Sequence, residues 1–126
     1  MSARIAIGFG ASTAAQVEDV VQLIAATLGS QRPDVPVARA VVATVDRRAA
    51  LAREVGSFLG CSVVTFDAVT LARVSGVVSE SARARATVGT ASVAEAAALA
   101  ALGPRARLVA ARATGRHCTC AIAEMT

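Results

Sequence analysis

Aromatic residues are scarce in this 126-residue chain and lysine is absent: there are three phenylalanines, no tyrosine and no tryptophan. Proteins that hold single-stranded nucleic acid usually stack its bases on aromatic side chains, so this scarcity argues against a nucleic-acid partner. All 13 basic residues are arginines, and the net charge is +4. The arginines are scattered as on a solvated surface, but their planar donors also suit carboxylates and phosphates.

Long apolar runs are missing as well, although 55% of the residues are hydrophobic. No segment offers the roughly 20 uninterrupted apolar residues of a membrane-spanning helix, and no signal-peptide pattern follows Met1. We therefore expect a cytoplasmic protein, folded as one domain over residues 1–126. The three cysteines are an odd number in a chain without an export signal, which predicts reduced thiols.

Short apolar runs alternate with helical patterns along much of the sequence. Strands are predicted over Ile5–Gly8, Val37–Val45 and Cys61–Phe66, each followed by a helix. Two further strand patterns, Ala106–Ala111 and His117–Ala123, are separated by so few residues that they must form an antiparallel hairpin. The sequence thus predicts an α/β protein: a three-layer α/β/α sandwich with a mixed, mostly parallel sheet and a C-terminal antiparallel hairpin.

The helix boundaries follow from capping residues. We expect the first helix to begin with Ser12 or Thr13 as its cap and to end at Gly29. Asp46 can cap the second helix. The buried residues predicted for that second helix are Leu51, Val55, Phe58 and Leu59, before a stop at Gly60.

The most informative segment is residues 87–99, TVGTASVAEAAAL. Ser92 and Glu95 form a Ser-x-x-Glu capping box, which opens a helix by satisfying two of its backbone amides. Gly103-Pro104 supplies a left-handed stop. The segment is therefore one well-delimited helix whose amino end can hold an anion.

This segment closely resembles the G-x-x-S-V-A-E-A-A-A-L signature of the CobE family, which is also the C-terminal domain of CbiG; both belong to cobalamin (vitamin B12) biosynthesis. The resemblance continues in a G-x-G sequence at Gly8–Gly10, an A-T-x-D sequence at residues 43–46 and a T-x-A-I-A ending at residues 119–123. Ala11-Ser12 replaces the Cys-Arg of many members. Arg48 and Arg112 stand where lysine is common in the family.

The candidate site combines three loops that follow strands. In an open α/β sheet the carboxyl ends of parallel strands lie at one edge, so Gly8–Thr13, Thr44–Arg48 and Gly89–Ser92 should form one crevice. For each loop a structural role is the alternative, such as a tight turn at Gly8–Gly10 or a helix cap at Asp46. The predicted ligand-binding residues are Gly8, Gly10, Ser12, Thr13, Thr44, Asp46, Arg47, Arg48, Gly89, Thr90, Ser92, Glu95 and Arg112.

The C-terminal His117-Cys118-Thr119-Cys120 sequence contains three residue types that bind metals. Strand alternation places the two cysteines on one face and His117 on the other, so the three ligands cannot converge. We therefore expect buried thiols, no metal and no cofactor.

The family resemblance implies the function. Corrinoid precursors carry acetate and propionate side chains, which arginines and helix amino ends can bind. We expect a protein that binds a precorrin or corrinoid intermediate as an auxiliary or carrier. The alternatives are a small hydrolase similar to a cobalt-precorrin-5A hydrolase, with Asp46 or Glu95 in acid/base work, and a partner that docks on another enzyme of the pathway.

Overall fold

A five-stranded sheet forms the centre of the molecule. We describe it from a computed structural model, over residues 4–74 and 93–125. The strands are β1 (Arg4–Ala11), β2 (Val41–Val45), β3 (Ser62–Phe66), β4 (Arg107–Thr114) and β5 (Cys118–Met125).

The strand order is β3-β2-β1-β5-β4. The first three strands pair in parallel, whereas β5 runs antiparallel to both β1 and β4. Four of the five described strands therefore share one direction. The predicted mixed, mostly parallel sheet and the C-terminal hairpin are confirmed.

Helices cover both faces of the sheet. Within the described residues they are α1 (Val17–Gln31), α2 (Ala49–Leu59), α3 (Ala68–Ala72) and α4 (Val93–Leu102). Helices α1 and α2 pack on one face, and α3 and α4 belong to the other. This arrangement is the predicted three-layer sandwich. No helix in this part of the chain is long and apolar enough to cross a bilayer.

The first strand is longer than predicted. It continues through Gly8 and Gly10, which pair with Ala121 and Thr119 of β5, and it ends at Ala11. The predicted loop Gly8–Thr13 is therefore wrong over residues 8–11, because β5 supplies a hydrogen-bonding partner along the full length of β1.

The first helix also differs from its predicted boundaries. It begins at Val17, where the Asp19 carboxylate accepts the backbone N–H of Gln16 at 3.0 Å. Ser12 instead caps a local turn by accepting the N–H of Ala14 at 3.2 Å. The helix continues through Gly29 to Gln31, since neither the conformation nor the surroundings of Gly29 interrupt it.

Two short 3-10 turns replace segments that we predicted otherwise. Val37–Arg39 is such a turn, so β2 begins at Val41 and not at Val37. Asp46–Arg48 is the other, and it separates β2 from α2. Asp46 therefore does not cap α2, which begins three residues later at Ala49.

The second helix has one unexpected outward residue. Phe58 was predicted to be buried but is 71% exposed, whereas Val55 is fully buried as expected. The helix ends at Gly60 with the predicted left-handed conformation (φ 74°), and Gly103 after α4 has it too (φ 99°).

Candidate functional site

A cleft of about 400 Å³ opens at the edge of the sheet where β1 and β2 end. This volume lies within the range of small-molecule sites, roughly 300–1,000 Å³. The cleft is lined by residues at the end of β1, in the turn after β2, at the start of α4 and in the β4–β5 hairpin. They are Gly10, Ala11, Ser12, Val45, Arg47, Arg48, Val93, Thr114, Gly115, His117, Cys118 and Thr119.

The turn after β2 supplies two arginines to one wall. Because the chain leaves β2 directly into a 3-10 turn, Arg47 and Arg48 follow the strand end without an intervening loop. The Nε of Arg48 donates to the carbonyl of Ala11 at 2.8 Å, which fixes its guanidinium against the end of β1. This bond uses one of the five donors of an arginine side chain.

The β4–β5 hairpin forms the opposite wall. It is closed by a bond from the Gly115 N–H to the Cys118 carbonyl (2.8 Å) and is joined to β1 by a bond from the Ser12 N–H to the His117 carbonyl (2.9 Å). His117 has φ 62°, the one left-handed non-glycine conformation among the described residues. The hairpin reaches this edge because β4 runs in the same direction as β1 and β2.

The cleft is electropositive. Its described lining includes two arginines and a histidine but no aspartate or glutamate. Val93, at the amino end of α4, also lines it, so the positive end of the helix dipole adds to the charge there. A carboxylate or another anion would find several donors at this place.

Four of the predicted ligand-binding residues line the cleft together: Gly10, Ser12, Arg47 and Arg48. Their role in binding stays a prediction. The exposed Thr13 and Asp46 are close to them in sequence but are not among the lining residues. Three further predicted residues lie outside the described part of the chain: Gly89, Thr90 and Ser92, of which Ser92 is one half of the predicted capping box.

Gly8 and Thr44 are buried and serve the sheet. A side chain at Gly8 would collide with the backbone of α4, at Ala94 and Ala98, so glycine is needed there for close helix packing. The Thr44 hydroxyl donates to the Phe9 carbonyl at 2.6 Å, which connects β2 to β1. Neither residue lines the cleft.

Glu95 and Arg112 meet elsewhere. Glu95 is fully buried, and its Oε2 accepts the backbone N–H of Arg112 at 3.1 Å, so it anchors α4 to β4. Neither Glu95 nor Asp46, the two residues considered for acid/base work, lines the cleft.

The two C-terminal cysteines are buried, as predicted. Cys120 Sγ lies 3.3 Å from the Thr27 hydroxyl of α1, on the face that also carries Cys118. Burial raises the pKa of the Cys118 thiol to about 11, with a further contribution from the charge of Asp19. In residues 4–74 and 93–125 no three metal-binding side chains are grouped together.

The sequence did not identify the hairpin as a wall of the cleft. His117 was considered only as a metal ligand, and Thr114 and Gly115 lie in the short interval between the last two predicted strands. The position of β5 between β1 and β4 brings them to the site, and no local pattern encodes that position. The short interval between the last two strands predicted the hairpin itself, but not the strand beside which it lies.

A family model described as "Cobalamin synthesis G C-terminus" matches residues 5–123. The chain belongs to this family. No curated protein matches its sequence.

Solved structures agree with this assignment. The chain is 25% identical to CobE, a protein from the cobalamin biosynthetic pathway, with a TM-score of 0.77 and coverage of 99% of this chain and 96% of CobE. It is 28% identical to the cobalamin biosynthesis protein chiG of Agrobacterium tumefaciens, with a TM-score of 0.67 and coverage of 97% and 98%. A cobalamin biosynthesis protein G homologue from Sulfolobus solfataricus shares the fold at 17% identity and a TM-score of 0.73; the match covers 98% of this chain and 37% of that one.

Proposed function

We propose that this protein binds a precorrin or corrinoid intermediate in its electropositive cleft and acts as an auxiliary or carrier in cobalamin biosynthesis. The observation that carries the proposal is that Arg47 and Arg48 line the same cleft as the hairpin. The described lining of this cleft has no acidic side chain. Membership of a cobalamin-synthesis family supplies the pathway. The acetate and propionate groups at the rim of these pigments supply the matching negative charge.

The size of the cleft supports binding of an edge of the pigment. A tetrapyrrole macrocycle is a broad disc, and about 400 Å³ suits its carboxylate-bearing rim better than the whole ring. Each charge-assisted hydrogen bond contributes about 1.5–3 kcal/mol, so a few such contacts suffice for useful affinity. The ring would then stay accessible to an enzyme that receives it.

Hydrolysis of a precorrin is the alternative from another class of function. It needs an acid or base beside the ligand, but the residues considered for that role are a buried glutamate that anchors β4 and an aspartate outside the cleft lining. Docking on another pathway enzyme is a further alternative. Both are outcomes of the experiment below.

The test is a visible-spectrum titration of the purified protein with hydrogenobyrinic acid and precorrin intermediates at two salt concentrations, followed by mass analysis of the pigment. We expect saturable spectral shifts, an unchanged pigment mass, and weaker binding at high salt because exposed charges are screened. A changed mass would indicate an enzyme. No shift with any pigment would contradict the binding proposal and favour docking, which co-elution with a pathway enzyme would then support.

Substitutions locate the site. Arg47→Ala and Arg48→Ala should each weaken binding about tenfold, the loss of roughly one charge-assisted contact. Arg53→Ala is the matched control, because Arg53 is an exposed arginine on α2 outside the cleft. Thermal melting of each variant separates lost binding from lost folding, which matters for Arg48 because its bond to Ala11 disappears as well. Equal affinity in all three variants would place the ligand elsewhere.

A further inference from the structure

The Arg48 side chain has hydrogen-bond donors left over for a ligand. Its Nε donates to the Ala11 carbonyl at 2.8 Å, and Arg48 makes no other hydrogen bond or ion pair with the described residues. The remaining N–H groups of a guanidinium are on its two terminal nitrogens, so in this part of the chain they have no partner. Such paired N–H groups match the two oxygens of a carboxylate.

Backbone acceptors at the same place are already engaged. The Ala11 carbonyl carries the bond from the arginine. The His117 carbonyl accepts the Ser12 N–H at 2.9 Å, and the Cys118 carbonyl accepts the Gly115 N–H at 2.8 Å. All five residues line the cleft. Each of the three carbonyls thus already accepts a hydrogen bond from the protein itself.

The side chains of the lining do not supply the missing acceptors. The described lining contains no aspartate, glutamate, asparagine or glutamine. Apart from the arginines, its polar side chains are hydroxyls, one imidazole and one thiol, and a hydroxyl donates as well as accepts. The Ser12 hydroxyl already accepts the N–H of Ala14 at 3.2 Å. The described lining therefore has donors in excess of acceptors.

An excess of donors distinguishes a carboxylate from the primary amide of the same shape. An ionised carboxylate only accepts hydrogen bonds, whereas an amide has two N–H donors of its own and no charge. In this cleft an amide would lose the charge-assisted contact and bring N–H groups against N–H groups. A site that leaves polar groups unpaired in this way rejects the wrong analogue strongly.

We infer that the cleft recognises free carboxylates and rejects carboxamides, so that the protein handles its pigment before the acetate and propionate side chains are amidated. This inference rests on the proposed function and narrows its substrate class. A reaction that forms these amides would weaken the hold of the cleft on the pigment. Such a reaction therefore belongs after this protein, not before it.

The experiment compares the affinity of the wild type for two pigments. One is hydrogenobyrinic acid, and the other is the same pigment after chemical conversion of its carboxylates to primary amides. We expect the amide to bind at least about tenfold more weakly, the loss of one or more charge-assisted contacts. The ratio of the two affinities is the quantity of interest.

Substitutions at Arg48 show whether the cleft sets this ratio. Arg48→Gln removes the charge and supplies an amide oxygen as an acceptor, so it should lower the ratio several-fold. Arg48→Lys keeps the charge but not the paired N–H groups, and it should lower the ratio by less. Arg53→Gln is the matched control, because it makes the same change of net charge outside the cleft lining and should keep the wild-type ratio.

The ratio is taken within one variant, so a partial loss of folded protein affects both pigments equally, and thermal melting identifies variants that do not fold. Equal affinities for acid and amide, or a ratio that Arg48→Gln leaves unchanged, would overturn this inference while the bound pigment upholds the proposed function. A wild type that does not bind the free acid would overturn the proposed function and this inference with it.

Discussion

The two faces of the sheet are built from residues of different size. Strand β1 alternates between them: Ile5, Ile7 and Phe9 point to the face that α1 covers, and Ala6 and Gly8 point to the face that α4 covers. The α4 side of the interface is also small, because alanines fill most of that helix. One face is therefore stabilised by the volume of its side chains, and the other by the close approach of two backbones.

This difference predicts opposite sensitivities. On the large-residue face, removing atoms leaves a cavity, whereas on the small-residue face adding a single carbon causes a collision. Three substitutions test the comparison, and we give them from the largest expected effect to the smallest.

Phe9→Ala should cause the largest loss. The Phe9 ring is fully buried among the residues under α1, so truncation should lower the free energy of unfolding by about 3–5 kcal/mol. Denaturant unfolding monitored by circular dichroism measures this. The matched control is Phe58→Ala, the same substitution at a side chain that is 71% exposed, which should change stability little. Equal losses in the two variants would mean that the large-residue face does not depend on volume.

Gly8→Ala should lower the free energy of unfolding by about 1–3 kcal/mol or more, although it adds only one methyl group. The new Cβ would meet the backbone carbonyl of Ala94 and lie 2.6 Å from the Ala98 nitrogen, and backbone atoms cannot move aside as a flexible side chain can. The control is Gly29→Ala within α1, where nothing lies within 4 Å of the added carbon. That change should instead stabilise the protein by about 0.5–1 kcal/mol through helix propensity. A neutral Gly8→Ala would show that α4 is free to move away from the sheet.

The smallest effect is expected at α3, a five-residue helix on the small-residue face. Asp67 caps it by accepting the Thr70 backbone N–H at 2.7 Å, and hydrogen bonds from the Thr70 side chain and backbone lower the pKa of this carboxyl. Because the pKa is lowered in the folded state, the ionised carboxylate stabilises the protein fully at pH values above the ordinary aspartate pKa. This stabilisation is lost as the pH falls through the lowered pKa of the folded state.

Asp67→Ala should therefore reduce the melting temperature slightly near neutral pH, and this difference should shrink as the pH is lowered below the ordinary aspartate pKa. Melting curves of the wild type and the variant at neutral and acidic pH measure it. Asp67→Asn keeps a capping side chain and should lose less than the alanine variant at neutral pH. A difference that stays constant with pH would mean that the carboxylate charge does not contribute.

Much of the architecture could be predicted because alternation and capping are local. Each successful prediction depended on a signal that spans only a few residues. Runs of valine predicted strands, Gly60 and Gly103 predicted helix ends, and the short interval before β5 predicted the hairpin. Helix starts were harder, because several polar residues compete near each one: Asp19 and Gln16 prevail over Ser12 and Thr13 at α1. Phe58 was misplaced because helical spacing alone does not say how wide the buried stripe is.

The candidate site shows the same division. Arg47 and Arg48 could be found because they follow a strand end, where α/β sheets place their ligands. Thr44 and Glu95 stood in equally suggestive motifs, yet their partners, the Phe9 carbonyl and the Arg112 amide, are distant in sequence and turn both residues inward. His117 could not be assigned to the cleft, because its place depends on β5 lying beside β1.

The insertion of β5 between β1 and β4 has a consequence for how the protein is made. Strand β1 is synthesised before β5 but pairs along its length with it, from Arg4 opposite Met125 to Ala11 opposite Cys118. Until residues 118–125 leave the ribosome, β1 keeps one edge unpaired, which is a template for pairing with other chains. Refolding in vitro should therefore be slow, as expected for pairings between distant parts of a sequence.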